Sequence, residues 1–134
     1  MLLEINHHSG VPIYRQVIEQ IRRQIMAGQL SEGEQLMSVR DLAAQLRVNP
    51  MTISKAYALL EVEGLVERRR GIGLFVDRLQ KDKKAHTKIQ LLEEVLRKAA
   101  VMAVQLEIAE EKAGEMLAKL YKEYDLRTGS HSNE

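Results

Sequence analysis

The chain has 134 residues, 45% of them apolar and 29% charged, with a formal net charge of +1 and no cysteine. Such a composition belongs to a soluble globular protein with room for one domain, or for a small domain and an appendage. It excludes disulfides, thiolate metal sites and cysteine nucleophiles, and with no run of 18 apolar residues nothing is expected to span a membrane.

The opening stretch, MLLEINHHSG, lacks a basic segment followed by an apolar core. It is therefore not a secretory signal, and the expected compartment is the cytoplasm. Val11 to Ala27 reads as the first helix, with Pro12 near its start and Ile13, Val17, Ile18, Ile21 and Ile25 along one face. Gly28 suits the left-handed position after a helix. Gln29 to Leu36, with Gly33, reads as a turn region.

Ser38 opens a second helix, and Ser38 to Asp41 has the form of a capping box with an acid shorter than usual. Leu42, Ala43 and Leu46 face inward, and the helix stops near Arg47. Glycine is common at such a stop; a non-glycine residue held at positive φ costs roughly 1 kcal/mol. Arg47 is thus a local departure.

Only Val48 separates Arg47 from Asn49, a good N-cap, and Pro50 follows at the first helical position. Ile53, Ala56, Tyr57 and Leu60 face a core. Met51, Thr52, Ser54, Lys55 and Ala58 face outward. A short, lightly charged face of this kind fits the major groove of DNA, and taken alone it fits an ordinary surface helix equally well. Its setting decides, because two short helices joined by a tight turn make a helix-turn-helix.

After Gly64, Leu65 to Arg69 and Gly73 to Val76 read as two short strands, with Arg70-Gly71-Ile72-Gly73 as the turn. A hairpin beside a helix-turn-helix is a wing. Residues 68 to 88 carry eight Lys/Arg against two acids, so the basic charge is concentrated although the net charge is small.

Residues 78–87 read as a polar, basic linker. From Lys88, Ile89, Leu92, Leu96, Ala99, Ala103 and Leu106 recur in steps of three and four, and Ala113, Leu117, Leu120 and Tyr124 continue the seam. Two readings fit: one long helix, or two antiparallel helices turning near Glu107 to Ala109. No Gly or Pro marks that turn, so periodicity favours one helix. The tail, 127–134, reads as disordered.

No catalytic constellation is visible. His7, His8, His86 and His131 are scattered over termini and linker, and Glu93-Glu94 and Glu110-Glu111 fit exposed helix faces. No enzyme activity, metal site or cofactor is expected.

The ordered motifs Pro12-Ile13-Tyr14-Arg15-Gln16, Gly28-Gln29-Leu30, Gly33-Glu34-Gln35-Leu36, Ser38-Val39-Arg40-Asp41-Leu42-Ala43, Asn49-Pro50-Met51-Thr52-Ile53, Glu63-Gly64-Leu65-Val66-Glu67 and Gly71-Ile72-Gly73-Leu74-Phe75-Val76 cover about half the chain. Together they resemble the N-terminal winged helix of GntR-family bacterial transcription regulators. The remainder resembles the short C-terminal region of the YtrA subfamily, and is too short for the effector domains of other subfamilies or the aminotransferase-like domain of MocR-type members.

The resemblance implies a mainly α fold with a small β-hairpin: a winged helix-turn-helix over 1–77, then a two-helix dimerisation region over 88–126. It implies a homodimeric repressor on double-stranded DNA with an inverted-repeat operator. Arg40 would sit on the DNA backbone. Asn49, Met51, Thr52, Ser54 and Lys55 would face the major groove, and Arg68, Arg69, Arg70 and Gly71 would form the wing contact. Leu92, Leu96, Ala99, Ala103, Leu106, Leu117 and Leu120 would form the dimer seam. Binding to a partner protein instead of DNA is the alternative, and an unknown small-molecule effector stays open. Three positions depart from the family pattern: Met37, usually proline; Arg47, usually glycine; and Leu74, usually small and polar.

Overall fold

The computed structural model describes residues 1–79 and 81–128. Its elements, in chain order, are α1 (Ile13–Met26), α2 (Val39–Leu46), α3 (Pro50–Val62), β1 (Val66–Arg69), β2 (Gly73–Val76), α4 (Lys81–Gln105) and α5 (Glu110–Thr128). The chain divides into two units, Met1–Ile89 and Gln90–Glu134. This is the expected mainly helical chain with one hairpin.

In the first unit α3 packs on both α1 and α2. The contact is apolar because each helix carries residues at three- and four-residue spacing on one face. Val17, Ile21, Leu42, Ile53 and Leu60 are fully buried there, and Ala43 and Ala56 are small enough for close approach. Leu46 is only half-buried. Arg22 of α1 pairs with Glu63 just past the end of α3, tying the two helices at their far ends.

Three helix ends close with the same hydrogen-bond pair. After α2, Val48 N–H reaches Ala43 O at 3.0 Å and Arg47 N–H reaches Ala44 O at 3.3 Å. After α3, Leu65 N–H reaches Leu60 O and Gly64 N–H reaches Glu61 O. After α4, Ile108 N–H reaches Ala103 O and Glu107 N–H reaches Val104 O. This Schellman arrangement satisfies carbonyls the helix leaves orphaned, and it needs a left-handed residue. The φ values are 57° at Arg47, 81° at Gly64 and 56° at Glu107. The expected turn near Glu107 to Ala109 is therefore real, and the single long helix favoured by periodicity is not formed.

Three other boundaries differ from the sequence reading. The first helix begins at Ile13, with Pro12 in the capping position, and ends at Met26. The segment 78–87, expected as a linker, is helical from Lys81, because nothing after Gln80 breaks a helix. Arg127 and Thr128 belong to α5; the rest of the expected tail, with His131, lies outside the described residues.

The strands pair antiparallel, with Val66 opposite Val76 and Arg69 opposite Gly73. The turn region before α2 adds a third line to this hairpin. Leu36 N–H bonds Leu74 O, and Val76 N–H bonds Glu34 O, both at 2.8 Å. β2 is thus paired on both edges, and Leu74, Phe75 and Val76 are all buried. Leu74 departs from the family pattern but fills core space. Gly73 has φ 141°, and a Cβ there would meet Gln35 Nε2 at 2.9 Å. The same Gln35 amide donates to Ile72 O, so it braces the hairpin turn.

In the second unit the residues expected to form a seam lie on α4 and α5. Their apolar side chains are left exposed by this single chain: Leu92 and Leu96, Leu106, Leu117 and Leu120 all face solvent, as does Ala99, and Ala103 is half-buried. No helix among the described residues is long and apolar enough to cross a membrane.

Candidate nucleic-acid interface

Ser38 Oγ accepts from Asp41 N–H at 3.1 Å, so the cap that starts α2 is in place without the usual preceding proline. Tyr57 adds a brace at this point, donating its phenol to Met37 O at 2.7 Å. Burial pushes the Tyr57 phenol well above the ordinary tyrosine range, which keeps it a donor. Arg40 is exposed on the first turn of α2 and makes no ion pair among the described residues.

Asn49 Oδ1 accepts from Met51 N–H at 2.8 Å, and Pro50 occupies the first helical position. The cap consumes the Asn49 side-chain oxygen; its amide N–H groups remain for another acceptor. Met51, Ser54 and Lys55 are exposed, and Thr52 is half-buried with its N–H on Asn49 O. The expected outward face is present, and Met51 projects 77% of its surface into solvent. No acidic side chain stands in the first turn of α3.

The wing arginines are not equivalent. Arg68 is paired with Glu61 of α3 at 3.2 Å, joining the hairpin to the helix. Arg69 lies over the Phe75 ring, 4.1 Å from its centroid. Arg70, at the tip beside Gly71, is exposed and without an ion-pair partner among the described residues. Its guanidinium is the most available of the three. Lys55 rests over the ring of Tyr14, 3.9 Å from the centroid; in the sequence Tyr14 stands out only as part of the Pro12 to Gln16 motif, and nothing in its spacing points to Lys55.

No group of three or more metal-ligating side chains gathers among the described residues. A cavity of about 120 Å³ is lined by Ile25, Leu30, Glu32, Val76, Asp77 and Lys84, among others. That is well below the roughly 300–1,000 Å³ of small-molecule pockets.

A capped helix-turn-helix followed by a two-stranded hairpin with a basic tip defines a winged-helix DNA-binding regulator. The sequence pattern of the bacterial regulatory proteins, gntR family, matches residues 13–76. The HTH-type transcriptional repressor YtrA of Bacillus subtilis (strain 168) is 33% identical over 119 residues, covering 89% of this chain and 92% of that protein. A GntR family transcriptional regulator from Listeria monocytogenes superposes with a TM-score of 0.74 at 30% identity, over 86% of this chain and 98% of that one. The AraR DNA-binding domain in complex with operator ORX1 is 30% identical and covers 55% of this chain and 95% of its own, with a TM-score of 0.51. The chain belongs to the GntR family of bacterial DNA-binding transcription regulators, in its YtrA-like branch. These relatives are regulators, not enzymes.

Proposed function

We propose that the protein is a repressor that binds an inverted-repeat operator as a homodimer. The observation that carries this reading is an apolar seam left uncovered on α4 and α5 of a chain that presents only one reading helix. Leu117 and Leu120 are each about half exposed, at 51% and 49%, and with Tyr121 and Tyr124 they line an open groove. Apolar surface of this extent on one side of a chain marks an interface. A second copy covers it and brings a second reading helix. Half-site centres then lie roughly 34 Å apart, or a multiple of that, along one face of the duplex.

Within each half-site, Thr52 and Ser54 bond phosphate or base edges, Met51 meets a thymine methyl, and Lys55 reaches phosphate or guanine. The amide of Asn49 adds a donor. Arg40 holds the backbone, and Arg70 with Gly71 enters the minor groove, aided by Arg68 and Arg69. Bound across a promoter in the cytoplasm, such a dimer blocks transcription. The repressor assignment draws support from the name of the Bacillus subtilis relative, and the DNA-bound AraR domain supports the DNA-reading role of the winged helix.

Selection of bound duplexes from a random pool tests the reading. The expected product is an inverted repeat with that spacing. Recovery of a single half-site contradicts the dimer, and the absence of any salt-sensitive DNA binding favours a protein partner for the winged helix.

A further inference from the structure

We propose that Tyr14 is a positioning residue for Lys55, fixing the place of its ammonium on α3 and so choosing the base or phosphate it addresses. The proposal rests on α3 being the DNA-reading helix and goes beyond it by adding a residue of α1 to the reading head. Lys55 Nζ lies 3.9 Å from the Tyr14 ring centroid. That is well inside the ~6 Å range over which an aromatic face attracts a cation.

The ring is the less exposed of the two partners. Tyr14 stands one turn before Val17 and Ile18, on the stripe by which α1 packs against α3, and its side chain is half-buried. Lys55 is exposed on a flexible four-carbon stem with many rotamers open to it. Resting the ammonium on this half-buried ring favours one of its many placements before DNA arrives.

The choice of partner matters as much as the contact. Lys55 has no carboxylate partner among the described residues, whereas Arg68 is paired with Glu61. A carboxylate would orient the cation and also cancel its charge. An aromatic face orients it and leaves the charge whole. An ammonium has three donors, so those turned away from the ring remain for guanine O6 and N7 or for a phosphate oxygen.

The test compares wild type, Y14F, Y14L, K55A and Y14L/K55A on the duplex recovered by selection from a random pool and on its single-base variants. Thermal unfolding confirms that each variant folds, and nuclear magnetic resonance follows the Lys55 ε-methylene protons in free protein. Y14F keeps the ring and is expected to bind within about twofold of wild type. Y14L is expected to weaken binding by about two- to fivefold, as loss of an exposed cation–π contact would. It should also relax preference at the same base position that K55A relaxes, and add nothing in the K55A background. The ring-current shift of the Lys55 protons should persist in Y14F and vanish in Y14L. Equal weakening by Y14L with and without Lys55 overturns the proposal, as does a Y14F protein as weak as Y14L. A K55A protein that binds like wild type overturns the role of Lys55 itself, a failure of the underlying reading and separable from the other two.

Discussion

Gln20 holds both backbone groups of Glu4: its Oε1 accepts from Glu4 N–H at 2.9 Å and its Nε2 donates to Glu4 O at 2.6 Å. The pairing repeats along α1. Gln16 does the same for Asn6, and Gln24 donates to Leu2 O. Two residues of extended chain span roughly 6.7 Å and four residues of helix roughly 6.0 Å. Three glutamines at four-residue spacing therefore match alternate residues of an extended arm, and Leu3 is buried between them.

Gln16 is the costly member of this ladder, because it is buried and also donates to Val11 O. Q16A should destabilise the winged helix by about 1–3 kcal/mol, since part-buried backbone groups lose their partners. Q20A, at an exposed site, should cost less. Amide exchange checks the mechanism: Asn6 should lose protection in Q16A, and Glu4 in Q20A.

Arg47 is exposed and left-handed, with φ 57°. R47G should stabilise the protein by up to about 1 kcal/mol, because glycine adopts this conformation without a Cβ clash. For a domain of this size that is a rise in Tm of roughly 4–8 °C. An unchanged or lower Tm would show that the arginine makes up for its strain elsewhere.

The Tyr57 phenol gives stability an alkaline limit. Its folded pKa is raised above the ordinary value of 10.0 by burial. The unfolded chain therefore releases this proton first, and the contribution is present below pH 10 and falls as pH rises above it. Near neutral pH, Y57F should be less stable by about 1 kcal/mol through loss of the bond to Met37 O. Above pH 10 the gap should narrow. Denaturant melts of both proteins from pH 7 to 11 would show it.

Arg70 and Thr52 should fail in different ways. R70A should weaken binding to every duplex and lower the salt slope by about 1, as loss of one phosphate contact does. T52A should leave the slope intact and change base preference at one position in each half-site. A slope unaltered by R70A would remove the wing tip from the contact.

The seam on α4 and α5 can be tested without disturbing the fold. Leu117 and Leu120 are about half exposed and lie outside the buried core of the single chain, so charging them takes little from its own packing. L117E and L120E should sediment near the 15.3 kDa of one chain, against twice that for wild type. Their operator affinity should fall because only one half-site is held. A wild-type monomer would sink the interface.

The caps, α3 and the hairpin were legible because they are written locally. A serine or asparagine before a helix, Pro50 inside it and glycines at a hairpin each act within a few residues. The break between α4 and α5 was hidden for the complementary reason. Glu107 takes a conformation usually marked by glycine, so nothing in its identity announced it.

The order of the first three helices and the hairpin, the buried stripes and the outward residues of α3 follow from the sequence alone, since periodicity and capping are short-range. Which side chains meet depends on the packing of the whole unit. That packing places Glu34 to Leu36 against β2, the glutamines of α1 on the N-terminal arm, Glu61 on Arg68, and Tyr14 under Lys55. Those contacts join residues up to 42 positions apart, as in the bond from Val76 N–H to Glu34 O. Their geometry depends on how α1, α3 and the hairpin pack, which no local spacing encodes.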